Sequence, residues 1–546
     1  MDLKIAVVAA YFLVILGIGA LTRLRLESSS ESYFLADRRL GGVILLATMA
    51  ATNFSAFTVY GTSGAGYRDG YGFFPIMAFG TGFMALSFWV IGRRAWRLGR
   101  DVGLITAPEM VAHLYRSPAL GRLAAVVMIV FTIPYISLQP MAAGYALEEL
   151  VGLPYFYGCA LVTAVIVFYT FGGGMRAEAW VDLFQGTLML ALLVATIVIV
   201  AGQHGGFVAA NQKVMALKPE LFSRPGALGA YTPGIWFSYL ALWFFCDPMF
   251  PQLFQRFFAA RSERAIARMM LFYPLVCLLV FLPPIAVGVL GHLSVPGLTG
   301  KQADRILPLV MNALGGDVMA ALVTAAGLAA LMSTMDSQLL TLSAVFTRDI
   351  LPVFRKTGAS SGRPARLFTL ALAAAGLALA YDPPAIMLEI ATETFTGLAV
   401  LFPTVVFGLY WKQVHAWPAG LSIVAGEAAL AAFHLKWLAP GPFLPVVPVL
   451  ATSFGVYLAA HLAVRLRRGG LHPSLPGWAR DPYVLSLGAL FVLALDFWAW
   501  EVKGPLLMGL PLWAWYFVLL SAVQTALMLG MTRRDLRDSK PSASLR

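Results

Sequence analysis

The sequence contains little charge and few residues suited to catalysis or to binding a transition metal. Only 12% of its 546 residues are Asp, Glu, Lys or Arg, whereas soluble domains carry about 25%. The three cysteines have no C-x-x-C spacing, and the seven histidines have no H-x-x-x-H spacing. These shortages exclude an ordinary soluble protein and argue against an enzyme built on a metal cluster or an activated nucleophile.

Apolar residues are abundant instead. They make up 59% of the chain, and the mean hydropathy is +0.78. Runs near the length of about 20 residues that crosses a bilayer recur along the whole chain. We therefore predict an all-α polytopic membrane protein, with the first run retained as a span. The fifteen predicted spans lie near 3–22, 40–66, 71–92, 120–147, 155–172, 180–201, 229–255, 268–293, 317–347, 366–382, 386–410, 414–434, 444–465, 482–500 and 507–531.

The net charge of +12 needs a physical explanation, because basic proteins often bind nucleic acid. If the N-terminus lies outside, an odd number of spans places the C-terminus in the cytoplasm. In that orientation 30 of the 39 Lys and Arg residues lie on the cytoplasmic side. This is the asymmetry of the positive-inside rule, so the charge indicates topology in a cell membrane and no nucleic-acid partner.

Two spans are interrupted by residues that a simple anchor would avoid. The second contains Asn53, Ser55 and a Gly61–Gly66 glycine-rich stretch, and the seventh contains Asp247 between Cys246 and Pro248. Each opens a block of five spans, 40–201 and 229–410, and the odd spacing makes the two blocks opposite in orientation. Inverted repeats with broken first helices are typical of transporters that bind their cargo near the bilayer midplane. Kinked packing helices are the alternative, since Gly and Pro are frequent in membrane helices.

Outside these blocks we expect an N-terminal span with an inner loop at 1–39, peripheral spans at 411–531 and a disordered cytoplasmic tail at 532–546. The connections 202–228 and 348–366 are long and are also predicted to be flexible.

The ninth span ends in a turn rich in hydroxyls, in which Ser333 and Ser337 share one helical face with Thr334 and Asp336 beside it. Hydroxyls next to unwound backbone carbonyls supply the oxygen ligands that a hard cation such as sodium requires. Hydroxyls that bond back to their own helix would look the same in sequence. The residues alone leave both interpretations open.

Four motifs occur in the order seen in one transporter family. They are Tyr33–Gly42 (YFLADRRLGG), Gly172–Gly186 (GGGMRAEAWVDLFQG), Gln255–Phe257 (QRF) and Met332–Leu339 (MSTMDSQL). Together they make the chain resemble the sodium:solute symporter family, whose fold is a LeuT-type 5+5 inverted repeat. The resemblance implies a symporter that imports a small organic solute, amino acid-like or a carboxylate metabolite, by alternating access with Na⁺ as coupling ion.

Carried over to this sequence, the resemblance implies a sodium site between the second and ninth spans. Its ligands would be the carbonyls of Ala51, Phe54 and Ala330 and the hydroxyls of Ser333 and Thr334. A second ion site would involve Asp182, Asp336 and Ser337, together with Ser333. Because Asp336 departs from the family's hydroxyl pattern, a second sodium and a proton both stay open at this site.

For the solute, the resemblance points to a central cavity lined by Asn53, Phe57, Tyr135, Gln139, Trp243 and Asp247, with Glu393 and Thr396 as further candidates. Trp243 could cover an apolar face or a cation, and Asp247 could meet an amine. No arginine lies in the middle of a predicted span, so a solute carboxylate would be held by helix N-termini or by sodium.

Three other transport or signalling classes each require their own sequence features. A proton-coupled transporter of the same fold would use Asp182 and Asp336. A channel would need filter repeats or rings of charge, and a transporter-derived sensor would need a signalling domain. We expect the protein to function as a monomer in the lipid bilayer, with an oligomer left open.

Overall fold

The structure is a computed structural model that describes residues 3–23, 29–354, 363–383, 385–467, 480–497, 500 and 505–538. The first part of the chain forms α1 (Leu3–Arg23), α2 (Ser30–Leu35), α3 (Gly42–Asn53), α4 (Thr62–Asp69), α5 (Phe73–Ser87), α6 (Arg93–Val102), α7 (Ala107–Tyr115), α8 (Pro118–Val151), α9 (Tyr155–Gly202) and α10 (Phe207–Leu217).

The second part forms α11 (Pro233–Cys246), α12 (Pro251–Ala259), α13 (Glu263–Leu290), α14 (Ile306–Leu314), α15 (Gly316–Val345), α16 (Arg363–Tyr381), α17 (Met387–Ala399), α18 (Phe402–Tyr410), α19 (Ala416–His434), α20 (Val446–Arg467), α21 (Pro482–Leu495) and α22 (Leu512–Asp538). A short antiparallel hairpin joins β1 (Leu506–Leu507) to β2 (Leu510–Pro511). Ten helical segments of the described residues are long and apolar enough to cross a membrane. The predicted all-α membrane architecture is confirmed.

Several predicted boundaries were wrong. The connection 202–228 contains α10 and a 3₁₀ turn at Pro219–Phe222, because Phe207, Ala210 and Val214 give α10 a side that packs against the core. The last span begins at Leu512, after the hairpin. Its helix continues to Asp538, so residues 532–538 are not disordered; residues 539–546 of the predicted tail and 355–362 of the predicted flexible connection lie outside the described residues.

The helix of the second span is broken between α3 and α4. Phe54 adopts an extended conformation (φ −84°, ψ 90°), and the chain returns to helix through a π turn at Phe57–Gly61. The break leaves backbone N–H groups without helical acceptors. The side chain of Gln139 on α8 satisfies one of them, since its Oε1 accepts from Ala56 N at 3.0 Å.

The seventh span is broken in the same way between α11 and α12. A 3₁₀ turn at Asp247–Met249 follows α11, and Phe250 is non-helical (φ −59°, ψ 123°) before Pro251 opens α12. Proline at the first helical position fits because its missing N–H would be unpaired there. Both interruptions predicted from the sequence are therefore breaks in the helix.

The fifth and sixth spans form α9, which is kinked at Gly174 (φ 58°, ψ −177°). A Cβ at Gly174 would lie 2.6 Å from the Tyr33 carbonyl oxygen of α2, so this position requires glycine for both conformation and space. α9 packs along α3 and α15, and Asp182, which follows the kink, is fully buried.

Glycines allow the central helices to approach closely. A Cβ at Gly288 of α13 would lie 2.1 Å from the Ser63 carbonyl of α4, and one at Gly66 would lie 2.3 Å from the Ile285 carbonyl. A Cβ at Gly327 of α15 would lie 2.0 Å from the hydroxyl oxygen of Tyr60. Small residues at contacts are the usual means of close helix packing in membranes.

Candidate ion and solute site

Two adjacent hydroxyls on α15 reach the break after α3. Ser333 donates to the carbonyls of Ala51 (2.9 Å) and Ala330 (3.0 Å). Thr334 donates to the carbonyls of Thr52 (3.0 Å) and Ala330 (3.2 Å). All five residues are buried. The structure thus brings together Ala51, Ala330, Ser333 and Thr334, and this set of neutral oxygens has the chemistry of a sodium site.

Two residues beside these hydroxyls, Phe54 and Thr52, have contacts that the sequence did not predict. The ring of Phe54 stacks on Tyr273 (centroids 5.8 Å apart) and meets Phe281 edge-on, which anchors the extended residue of the break. Thr52, which the sequence analysis did not single out, supplies the carbonyl bonded by Thr334, and its hydroxyl bonds Ser337 (2.8 Å). The role of the Phe54 carbonyl as a ligand stays a prediction.

A charged cluster lies next to this site, and its centre is Arg256 of α12. Its Nη2 donates to Glu178 (2.5 Å), Asp182 (3.1 Å) and the Ser337 hydroxyl (2.8 Å). Its Nε donates to Thr48 (3.0 Å). Arg256 lies in the last turn of α12, beyond the predicted end of the seventh span at 255, and it is fully buried.

Asp182 therefore has partners inside the membrane, and Arg176 is not among those of its described contacts. It accepts from Thr48, from Thr52 at 3.5 Å and from Arg256. Ser337 donates to Glu178 and to the Ser333 carbonyl (2.8 Å). The sequence motifs contained both Glu178 and Arg256, but only their positions in space reveal that they face each other.

Asp336 lies on the other side of the cluster. Its Oδ2 accepts from the hydroxyl of Tyr169 at 2.8 Å, while Oδ1 of Asp336 and Oδ1 of Asp182 are buried without a partner among the described residues. Asp336, Tyr169 and Glu178 line a cavity of about 20 Å³, enough for roughly one water molecule. Three carboxylates share one guanidinium here, so the cluster retains capacity for a further cation.

A second small cavity lies at the two helix breaks. It is lined by Asn53, Phe57, Thr58, Met77, Thr81, Tyr135, Trp243, Asp247, Phe250, Phe281 and Phe395. Its volume is about 20 Å³. The structure thus brings together five of the candidate solute residues, Asn53, Phe57, Tyr135, Trp243 and Asp247, and their role in binding a solute stays a prediction. The Phe57 ring stacks on Trp243 (centroids 5.9 Å apart), which covers the cavity.

The polar groups of this cavity are only partly paired. Asp247 accepts from Asn53 Nδ2 at 3.4 Å and from the Cys246 thiol at 3.2 Å. The Nε1 of Trp243 and the hydroxyl of Thr81 are buried without a hydrogen-bond partner among the described residues. A carboxylate and two unpaired polar groups are therefore available to a solute.

Three further solute candidates lie elsewhere. Gln139 supports the break through Ala56 and donates to the Tyr135 carbonyl (3.0 Å). Thr396 bonds back to Thr392 of its own helix (2.7 Å). The Glu393 side chain is 48% exposed and pairs with His434. Phe395, two residues after Glu393, lines the solute cavity instead of Glu393, since residues two apart on a helix face different directions.

Two arginines outside the cavity, Arg38 and Arg68, join residues that are distant in the sequence. On the face that carries α7, Arg38 donates to the carbonyls of Leu104 (2.8 Å) and Phe258 (3.3 Å). On the face that carries α10, Arg68 donates to Asp304 at 3.0 Å, and Asp304 also accepts from Met387 N at 3.2 Å. Burial raises the pKa of Asp304, an effect that Arg68 opposes.

The amino-acid sequence is similar to those of known transporters. Residues 33–426 match the model of the sodium:solute symporter family. A sodium/pantothenate symporter of Escherichia coli K12 is 28% identical over 468 residues, which cover 83% of this chain and 95% of that protein. A sodium/proline symporter of Staphylococcus aureus (strain JH9) is 26% identical, with 79% of this chain and 86% of that protein covered.

The fold also matches solved transporters. A Na⁺-coupled sialic acid symporter in a substrate-bound outward-open state superposes with a TM-score of 0.71 at 19% sequence identity, covering 84% of this chain and 98% of that one. This likeness confirms the LeuT-type fold that the family resemblance implies.

Proposed function

Because this chain belongs to the sodium:solute symporter family and couples a small solute to sodium across a membrane, we propose which of its residues hold each cargo. The protein is a transporter and not an enzyme. The observation that carries the proposal is the meeting of Ser333 and Thr334 with the carbonyls of Ala51 and Thr52 at the break after α3.

Sodium binds between α3 and α15 in this proposal. The hydroxyls of Ser333 and Thr334 rotate away from the carbonyls they now bond and present their oxygens, and the carbonyls of Ala51, Phe54 and Ala330 complete the ligand set. A hydroxyl is both donor and acceptor, so the hydrogen bonds seen here and ion binding are alternative uses of the same atoms.

Coupling follows from a shared turn of helix. Ala51 and Thr52 face the hydroxyls of α15, while Asn53 and Phe57 line the solute cavity. An ion that orders the end of α3 also orders the solute-binding side chains that follow, so each ligand lowers the ordering cost of the other.

We propose that the second cation, if the cycle uses one, binds at Asp336 and Asp182. Both have a buried carboxylate oxygen without a partner, and Arg256 neutralises only part of the cluster. A proton on Asp336 is the second candidate, supported by the hydrogen bond from Tyr169.

For the solute, we propose an amino acid-like molecule. Its amine would meet Asp247, and a carbonyl or carboxylate oxygen would accept from Trp243 Nε1 and Thr81. The Trp243 Nε1 donor takes the role that an arginine would otherwise have for a solute carboxylate. Arg256 cannot take this role, since it is engaged with Glu178, Asp182 and the Gln252 carbonyl. A carboxylate metabolite without an amine is the second candidate, and the relatives named for pantothenate and proline are the first solutes to test.

We also propose that the protein is a monomer in the cell membrane, with the N-terminus outside and the face that carries α7 in the cytoplasm. The distribution of Lys and Arg supports this orientation.

Uptake into proteoliposomes tests the function. We expect accumulation of the solute under an inward sodium gradient, faster with a negative interior because a cation and a neutral or zwitterionic solute carry net charge. Candidate solutes are first screened by the rise in thermal stability that they cause in purified protein with sodium compared with potassium. Equal uptake with potassium in place of sodium, under a matched proton gradient, would refute sodium coupling.

A further inference from the structure

A cavity separate from the transport route lies between α8, α17 and α19. Its volume is about 540 Å³, within the range of sites that bind drug-sized molecules. It is lined by Val126, Val127, Val130, Phe131, Glu393, Glu427, Leu430, Ala431, His434 and Leu435. Val127 and Leu430 are buried at its base, whereas Val126, Val130 and Leu435 are about half exposed at its rim. The cavity therefore opens at the perimeter of the protein, toward lipid.

Glu427 is the unusual member of this lining. Both of its carboxylate oxygens are buried, and neither has a hydrogen-bond partner among the described residues. The other two titratable groups of the lining, Glu393 and His434, pair with each other. An unpaired carboxylate inside the bilayer is costly unless it meets a positive or hydrogen-bonding partner.

The depth of Glu427 limits what that partner can be. It lies seven residues before His434, the end of α19, which corresponds to about 10 Å along the helix. At that depth the bilayer contains acyl chains, whereas lipid head groups lie beyond the hydrocarbon core. A phospholipid would place its amino group too far from Glu427.

The cavity also adjoins the solute cavity through two helices. Phe131 and Tyr135 lie one turn apart on α8, and Glu393 and Phe395 lie two residues apart on α17; the first of each pair lines this cavity and the second lines the solute cavity. A Cβ at Gly397 would lie 2.3 Å from the Phe131 ring, so α8 and α17 cannot approach further. A molecule that fills the outer cavity would hold both helices in place.

We propose that this cavity is a binding site for a lipophilic amine that enters from the lipid, outside the solute and sodium sites. The charged amino group binds Glu427, and the apolar body packs on Val127, Phe131 and Leu430. Binding modulates transport, because it restrains the helices that carry Tyr135 and Phe395.

Two probes of equal shape test the charge requirement: 4-phenylbenzylamine and the uncharged 4-phenylbenzyl alcohol. Each is titrated against full-length protein in dodecyl maltoside, with thermal stability as the readout. We expect the amine to stabilise the protein saturably and at a concentration about tenfold or more below that of the alcohol, as a charge-assisted contact requires. Equal binding of the two probes would overturn the proposal.

Two variants locate the site. Glu427→Gln should weaken binding of the amine about tenfold and leave binding of the alcohol unchanged. Ala431→Phe keeps the carboxylate but fills the cavity, so it should weaken binding of both probes. This variant also tests the proposal if Glu427→Gln fails to fold. Glu148→Gln removes a carboxylate that pairs with Arg305 elsewhere and should change neither probe. Unchanged amine binding in both cavity variants would overturn the proposal.

Two further measurements complete the test. The amine should change the rate of sodium-driven uptake in the parent and lose that effect in Ala431→Phe, whose uptake without amine should remain. Stabilisation that depends on Glu427 and comes from phosphatidylethanolamine in nanodiscs, but not from the free amine, would identify a lipid as the occupant and refute our assignment.

Discussion

Ser333 and Thr334 each bond one carbonyl of the α3 break and one carbonyl of their own helix. Replacing either with Ala should raise the sodium concentration for half-maximal uptake about tenfold, because each loss removes one ion ligand, ~1.4 kcal/mol. Sodium dependence is measured by uptake in proteoliposomes at constant ionic strength.

Ser343→Ala is the matched control, since this hydroxyl lies on the same helix and bonds only the Leu340 carbonyl among the described contacts. Its sodium dependence should equal that of the parent. If Ser333→Ala and Thr334→Ala also behave like the parent, sodium binds elsewhere.

Asp247 lies in the break of the seventh span, with Asn53 as its amide partner. Asp247→Asn should weaken solute affinity by about tenfold or more and sodium affinity much less, because the lost charge faces the solute cavity. Competition binding compares amine-bearing ligands with analogues that lack the amine, and the loss should be larger for the amines. An equal loss for both sets of ligands would contradict a contact between Asp247 and an amine.

The sequence identified only part of the lining of the solute cavity. Polar residues in apolar spans, such as Asn53 and Asp247, are visible because a membrane helix has few of them. Phe395 and Met77 have no such signal, since an apolar side chain in a span packs against protein, lipid or solute equally well. Arg256 was missed because it lies at the predicted end of a span, where a basic residue also fits the cytoplasmic boundary.

The helices α4 and α13 meet backbone to backbone at Gly66 and Gly288. Gly288→Ala places a methyl group 2.1 Å from the Ser63 carbonyl, and the helix must shift to relieve the overlap. We expect a loss of about 1–3 kcal/mol in stability, measured as a lower temperature of unfolding.

Gly455→Ala provides the comparison, because no atom lies within 4 Å of its added Cβ. It should leave the unfolding temperature unchanged or raise it, since Ala is the better helix former. Equal stability of Gly288→Ala and the parent would show that the α4–α13 contact is looser than described.

Helices and breaks were predictable, and their ends were not. Hydrophobic length locates a span, and the polar interruptions at Asn53 and Asp247 predict the two breaks. The extension of α22 depends on contacts that no local pattern contains. Asp535 accepts from Trp89 Nε1 at 2.9 Å and from Arg93 at 3.3 Å, which orders the helix beyond the membrane.

At the scale of the whole molecule, the placement of basic residues predicts the orientation. Lys213 on α10 and His113 on α7 are both exposed and lie on opposite faces in the proposed topology. In intact cells, a membrane-impermeant maleimide should label Lys213→Cys, and it should label His113→Cys only after permeabilisation. Native Cys159, Cys246 and Cys277 are buried and give little background. The reverse labelling pattern would invert the topology.

The buried guanidinium of Arg256 has a consequence for how the protein is made. An arginine in a membrane helix is inserted against a cost of about 2.5–3.5 kcal/mol at the centre of the bilayer. Its acidic partners Glu178 and Asp182 precede it by 78 and 74 residues, so they leave the ribosome first. When α12 reaches the translocon, these carboxylates are already in the membrane. The order of the chain therefore lets the charged helix leave the translocon toward an acidic partner instead of toward lipid.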